Sequence, residues 1–216
     1  MTWVHSENGR LVVRITAAIV HNRGRREFGV LRRGSVRLVY LYGPPGVGKL
    51  TVARELVVQT GYKLLHNHLT VNLVSALYPI GSDEYARLLR QIRREIVAEA
   101  VHADSDLVQT VVNRGSTEQL AFIQSITELV DTSGGIVHFV RLTCEHGIWL
   151  ARVPNESRRV EGKLTDTDRV LGLFHGGDPF AVMPFEPTLT LDTTHLSPAE
   201  AAAQIVDHYA LPVIDG

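Results

Sequence analysis

Gly43-Pro44-Pro45-Gly46-Val47-Gly48-Lys49-Leu50-Thr51 is the stretch that decides the fold. It follows the apolar run at 36–42 and precedes a helix-like segment at 52–60. Strand, glycine-rich turn and helix, in that order, form the setting of a phosphate-binding loop. The glycines let backbone N–H groups turn inward around a polyphosphate without Cβ clashes. The start of the helix adds free N–H donors and partial positive charge. Lys49 supplies a mobile full charge for the β- and γ-phosphates.

Working outward, strand and helix patterns alternate from residue 36 onward. That alternation predicts a parallel sheet with crossover helices. The expected strands are 36–42, 62–66, 107–113, 136–143 and 188–191. Helices are expected at 49–60, 69–77, from Ser82 or Asp83 to about 103, 117–132, 145–152, 165–174, and from Ser197-Pro198 onward. In the long third helix, Tyr85, Leu88, Leu89, Ile92, Ile96, Val97 and Ala100 recur at three-and-four spacing. Arg87, Arg90 and Arg94 fall largely on the other side, as a solvated face. Ser197 as cap and Pro198 in the first turn open the last helix.

The chain has 216 residues, of which 44% are hydrophobic and 21% charged. That suits one α/β domain with a sizeable core and a mobile lid. The net charge of −1 gives no overall field towards nucleic acid or membrane. Residues 1–37 nevertheless hold eight arginines against Glu7 and Glu27, a balance of +6 that leaves −7 for the rest. Residues 1–35 read as a basic N-terminal extension. A binding arm and an added hairpin are alternatives to the ordinary reading, an appended segment with little order. The lone Cys144 excludes an internal disulfide and fits a reducing compartment. No apolar run reaches membrane-spanning length, and no secretory signal pattern appears. A cytoplasmic protein is expected.

The loop departs from the usual pattern in one place. Ser or Thr usually follows the lysine and binds Mg²⁺. Here Leu50 stands there, and the hydroxyl comes one residue later at Thr51. One helix step turns a side chain by about 100°, so Thr51 is poorly aimed to replace that ligand. It is better placed for the α-phosphate, with Mg²⁺ held mainly by nucleotide and water.

The nine residues resemble the P-loops of small kinases, where adenylate kinases carry Gly-Thr after the lysine. Residues 139–152, Phe-Val-Arg-Leu-Thr-Cys-Glu-His-Gly-Ile-Trp-Leu-Ala-Arg, resemble the strand and helix leading into the lid of these kinases. Leu191-Asp192-Thr193-Thr194 and Ser197-Pro198-Ala199-Glu200 resemble their last strand and helix. The resemblance spans residues 36–210 and covers nucleoside monophosphate, shikimate, gluconate and chloramphenicol kinases, without selecting one subfamily. It implies a five-stranded parallel sheet with helices on both faces and a basic lid. It also implies ATP with Mg²⁺, and transfer of the γ-phosphoryl group to a small-molecule acceptor.

In that reading Arg152, Arg158, Arg159 and Lys163 resemble lid cations, bunched in twelve residues beside Pro154. Phosphoryl transfer needs alignment, charge neutralisation and exclusion of water, and closing arginines meet those needs. In open parallel sheets, ligands bind beyond the carboxyl ends of the strands. His66-Asn67-His68 and Asn113-Arg114 stand at such ends. His68 is the candidate base, Asn67 would orient a hydroxyl, and Arg114 would bind an anion. His66 has a bland reading as a strand residue. No acid stands at these ends, since Asp104 and Asp106 precede the third strand. No zinc-like spacing is present, and no protein metal site is expected.

Two alternatives stay open. One is a nucleoside monophosphate kinase, although the Thr-Gly-Asp and arginine arrangement expected for it is missing. The other is a nucleotide-binding regulatory or interaction module whose basic arm engages a partner. The loop near residues 192–195 does not choose between ATP and GTP. A monomer or small homo-oligomer is expected.

Overall fold

Leu38, Tyr40 and Tyr42 face one side of strand β1 (Arg37–Tyr42), Val39 and Leu41 face the other, and all five are buried. A strand buried on both faces belongs in the middle of a parallel sheet covered by helices on each side. A computed structural model shows that arrangement and describes residues 35–154, 166–174 and 177–214. The expectation for residues 1–35 lies outside the described residues, Ser35 apart. So do those for the lid residues Arg158, Arg159 and Lys163.

Beyond β1 the elements run α1 (Lys49–Thr60), β2 (Lys63–Leu65), α2 (Asn67–Ser75), α3 (Asp83–His102), β3 (Leu107–Val111) and α4 (Thr117–Thr132). Then come β4 (Ile136–Thr143), α5 (His146–Arg152), α6 (Thr167–Gly172), β5 (Thr188–Asp192) and α7 (Pro198–Tyr209). The five strands are parallel in the order β2-β3-β1-β4-β5. From β1 the chain crosses to the edge strand β2, returns through β3, then moves to the other side for β4 and β5. The carboxyl end of β1 therefore opens between its neighbours at a topological switch point.

Each face has its own core. Val52, Ala53 and Leu56 of α1, Trp149 of α5, Val170 of α6 and Ile205 of α7 cover one face. Val97 and Ala100 of α3 and Ile123, Ile126 and Val130 of α4 cover the other. Caps set the helix starts. Ser82 Oγ accepts from Tyr85 N, Ser116 Oγ from Gln119 N, and Ser197 with Glu200 closes a reciprocal capping box. No described helix is long and apolar enough to cross a membrane.

Two expected strands are shorter than their sequence suggests. β2 stops at Leu65, because the chain turns into α2 at Asn67, whose N–H donates to Thr110 Oγ1 of β3 at 3.1 Å. His66 thereby takes the cap position, and Asn67 and His68 fall in the first helical turn rather than at a strand end. β3 stops at Val111, and the residues after it turn towards α4. Cys144 is buried just past β4, where burial raises the pKa of its thiol.

Candidate active site

Glycine is required at two points of the loop after β1. A Cβ on Gly43, at φ 144°, would stand 2.5 Å from the carbonyl oxygen of Leu142. Gly48, at φ 97° and ψ 6°, takes the left-handed conformation that starts α1. Lys49, 9% exposed, folds over its own loop. Its Nζ donates to the carbonyls of Gly43 at 2.8 Å and Pro44 at 2.7 Å. Thr51 Oγ1 donates to the Gly48 carbonyl at 2.7 Å.

Other segments hold the loop. Trp149 Nε1 donates to the Pro45 carbonyl at 2.6 Å. Arg152 ends α5 and donates to Thr193 Oγ1 at 3.3 Å and to the Thr193 and Thr194 carbonyls at 3.0 and 3.3 Å. Thr193 Oγ1 in turn lies 3.1 Å from the Val47 carbonyl. The segment after β5 thus links α5 to the loop. Asp192 Oδ1 accepts from Thr194 N and Oγ1, bonds that lower its carboxyl pKa.

The loop opens into a chamber of about 1120 Å³. That exceeds an ordinary single-ligand pocket, for which roughly 300–1,000 Å³ is usual. Residues 45–52 line it on one side, with Arg54, Arg152, Arg169 and Thr193. On the other side stand Asn67 and His68 of α2, Tyr85, Arg90 and Arg93 of α3, and Arg114 beyond β3. Among the described residues no carboxylate lines it. No described group of His, Cys, Asp and Glu has the makings of a metal site.

The expected site residues divide here. Pro45, Gly46, Val47, Gly48, Lys49, Leu50, Thr51, Asn67, His68, Arg114 and Arg152 share the chamber. Gly43, Pro44, His66 and Asn113 do not line it. Asn113 is buried and engaged elsewhere: Nδ2 donates to the Ala181 carbonyl at 3.1 Å, and Oδ1 accepts from Gly115 N at 3.0 Å. Its amide joins two connecting segments. Asp106 sits at the amino end of the sheet, accepting from Arg37 N at 2.6 Å.

Arg90 is exposed, as a solvated face requires, and it also lines the chamber. Arg93 is a residue that the sequence reading missed. It lies four residues after Leu89 and four before Val97, in line with the buried stripe of α3. A charge interrupting an apolar stripe was the available signal.

Sequence comparison and structure comparison give different answers. No protein-family model matches the sequence, and no curated protein matches it either. The structure is similar to a sugar kinase from Janibacter sp. HTCC2649, at 18% identity and TM-score 0.58, over 82% of this chain and 95% of that one. It is similar to the tunicamycin resistance protein of Deinococcus radiodurans, at 18% identity and TM-score 0.55, over 84% and 99%. A gluconokinase from Sinorhizobium meliloti 1021 gives 16% identity and TM-score 0.55, over 83% and 94%. The chain has the P-loop kinase fold. In this P-loop kinase fold the loop at residues 43–51 follows the central strand, as the sequence predicts.

Proposed function

We propose that the protein is an ATP-dependent phosphotransferase that moves the γ-phosphoryl group to a small-molecule acceptor. The observation that carries this reading is one chamber shared by the P-loop and by the polar residues at the start of α2. It has room for a nucleotide and a second substrate together.

The backbone N–H groups of Gly46, Val47, Gly48 and Lys49 would cradle the β-phosphate. Lys49 exchanges its two loop carbonyls for phosphate oxygens, a charge-assisted contact that strengthens as charge develops in transfer. Arg152 adds positive charge from the same side, and Arg158, Arg159 and Lys163 complete the lid in this reading. The acceptor's hydroxyl oxygen bonds to the γ-phosphorus as the bond to the β–γ bridging oxygen breaks. ADP leaves, and the hydroxyl proton passes to the imidazole of His68. Asn67 orients that hydroxyl, and Arg114 flanks the acceptor.

The loop fits a nucleotide, because Gly46, Val47, Gly48 and Lys49 line the chamber where α1 begins. A protein-held Mg²⁺ fits less well. Leu50 has no hydroxyl, Thr51 Oγ1 is turned to the Gly48 carbonyl, and no carboxylate lines the chamber among the described residues. Magnesium would enter on the nucleotide, held by phosphate oxygens and water.

The test is ADP release from Mg·ATP across sugars, nucleotides, hydroxy acids and aminoglycoside- or chloramphenicol-like alcohols, with Lys49→Ala as blank. Lysine-dependent stimulation by one acceptor class is expected. ATP binding with no stimulation by any class would shift the reading to a non-catalytic nucleotide-binding module, a reading favoured by the lack of a carboxylate on the chamber wall among the described residues.

A further inference from the structure

Arg93 is buried to 8% exposure on the buried stripe of α3, against α2. Removing a guanidinium from water costs several kcal/mol unless an anion answers it. Burial lowers its pKa, Tyr40 and Tyr85 oppose that, and Arg114 adds to it. The answering anion is missing among the described residues, where the one ion pair is Arg37–Asp106 at the far end of the sheet. The partners of Arg93 are neutral oxygens. Nε donates to Thr70 Oγ1 at 2.9 Å, and Nη2 donates to Asn67 Oδ1 at 2.8 Å and to the Asn67 carbonyl at 3.3 Å. Nη1 makes no hydrogen bond among the described residues. Arg90 and Arg114 line the same chamber. The Tyr85 hydroxyl feels both Arg93 and Arg114, so these groups share one electrostatic neighbourhood.

We propose that the phosphoryl acceptor is a hydroxyl compound carrying a fixed anion, a carboxylate or a phosphate monoester, which docks on Arg93 between Arg90 and Arg114. This rests on the phosphotransferase reading above. Thr70 and Asn67 hold two guanidinium nitrogens in place, so the third is preorganised for the ligand. An arginine–oxyanion contact in a chamber walled by Val71, Leu89 and Phe122 is only weakly screened by water. A neutral alcohol would leave the buried charge uncompensated, which makes Arg93 a selector of acceptors.

The test is calorimetric titration of the full chain, saturated with AMP-PNP so that the P-loop is filled. The probes are D-sorbitol, D-gluconate and D-sorbitol 6-phosphate, which share a six-carbon skeleton. At least one anion is expected to bind about tenfold tighter than sorbitol, and the better anion names the group. Arg93→Gln is expected to remove about tenfold of that affinity. Arg90→Gln with Arg114→Gln, both exposed, is expected to remove a few-fold; this pair carries the test if circular dichroism shows Arg93→Gln unfolded. Equal binding of sorbitol, no binding of either anion, or binding unmoved by the variants would overturn the proposal. So would weakening of AMP-PNP but not ADP by Arg93→Gln, which would put Arg93 on the γ-phosphate. ADP release is read separately. Turnover with a neutral alcohol alone would remove the anion site and leave the transferase standing. Anion binding without ADP release would remove the transferase and leave the anion site standing.

Discussion

Trp149 Nε1 donates to the carbonyl of Pro45 at 2.6 Å, across 104 residues of chain. The indole is fully buried, and its edge contacts include Phe180 at 5.3 Å and Phe174 at 6.5 Å between ring centroids. One turn on, Arg152 reaches the same loop indirectly, through Thr193 to the Val47 carbonyl. Helix α5 therefore holds the P-loop at two points. A glycine-rich loop has much conformational freedom to lose on binding a phosphate, and ties made in advance reduce that cost.

Trp149→Phe keeps an aromatic body and removes the donor. Leaving the Pro45 carbonyl without its partner is expected to cost about 1–3 kcal/mol of stability. A lower urea midpoint and a several-fold weaker Kd for a fluorescent ATP analogue are the expected results. Unchanged nucleotide affinity in a destabilised variant would show that the bond serves the core and not the loop.

Much of this is legible in the sequence. The nine-residue loop names its strand and helix, and α1, α4 and β4 begin and end where glycines, caps and periodicity put them. The side proposed to hold the acceptor was harder to read. His66, Asn67 and His68 are strand-like by position, yet the Thr110 hydroxyl captures Asn67 N and the helix starts there. Asn113 is polar and follows a strand, but a backbone carbonyl 68 residues away claims its amide. Arg93 was passed over because periodicity sorts residues by hydropathy, and a charge on the buried face looks like an error in the pattern. Only packing of α3 against α2 shows what it touches.

Lys49→Ala is expected to reduce ADP release by roughly a hundredfold or more, as loss of a preorganised charge at the transferring group does. The fold should persist, because Lys49 Nζ donates to the Gly43 and Pro44 carbonyls of its own loop rather than to a distant element of the core. Near-native circular dichroism with turnover at the blank level is the expected pair of results. Retained acceptor-dependent turnover would remove the loop from the mechanism.

Leu50→Thr restores a hydroxyl beside the lysine, where a magnesium ligand usually sits. Binding of ATP to the natural protein is expected to change by no more than about threefold when EDTA removes magnesium, since the nucleotide and water supply the ligands. The variant is expected to bind ATP more tightly with magnesium than without it. Titrations with and without EDTA read both. A strong magnesium dependence in the natural protein would mean that a protein ligand exists which Leu50 and Thr51 do not explain.

His138 lies on β4 with its ring 4.3 Å from that of Tyr209. Burial lowers its pKa from the ordinary 6.5 to about 4; Arg37 and His208 act in the same direction, and Asp106 opposes them. The unfolded chain therefore takes up a proton between pH 6.5 and 4 that the folded chain refuses. Stability rises with pH wherever the unfolded state binds more protons. The contribution of neutral His138 is thus full above pH 6.5, declines as pH falls through that window, and is gone below about 4. His138→Phe keeps an aromatic ring against Tyr209 and removes the titration. Carboxylates that titrate in the same window act in both proteins and cancel in the difference. Urea midpoints measured from pH 7.5 to 4 are expected to fall more steeply for the natural protein than for the variant, with the curves diverging below about pH 6.5. Parallel curves would mean that His138 accepts its proton in the folded chain without penalty, and that its burial does not govern its charge.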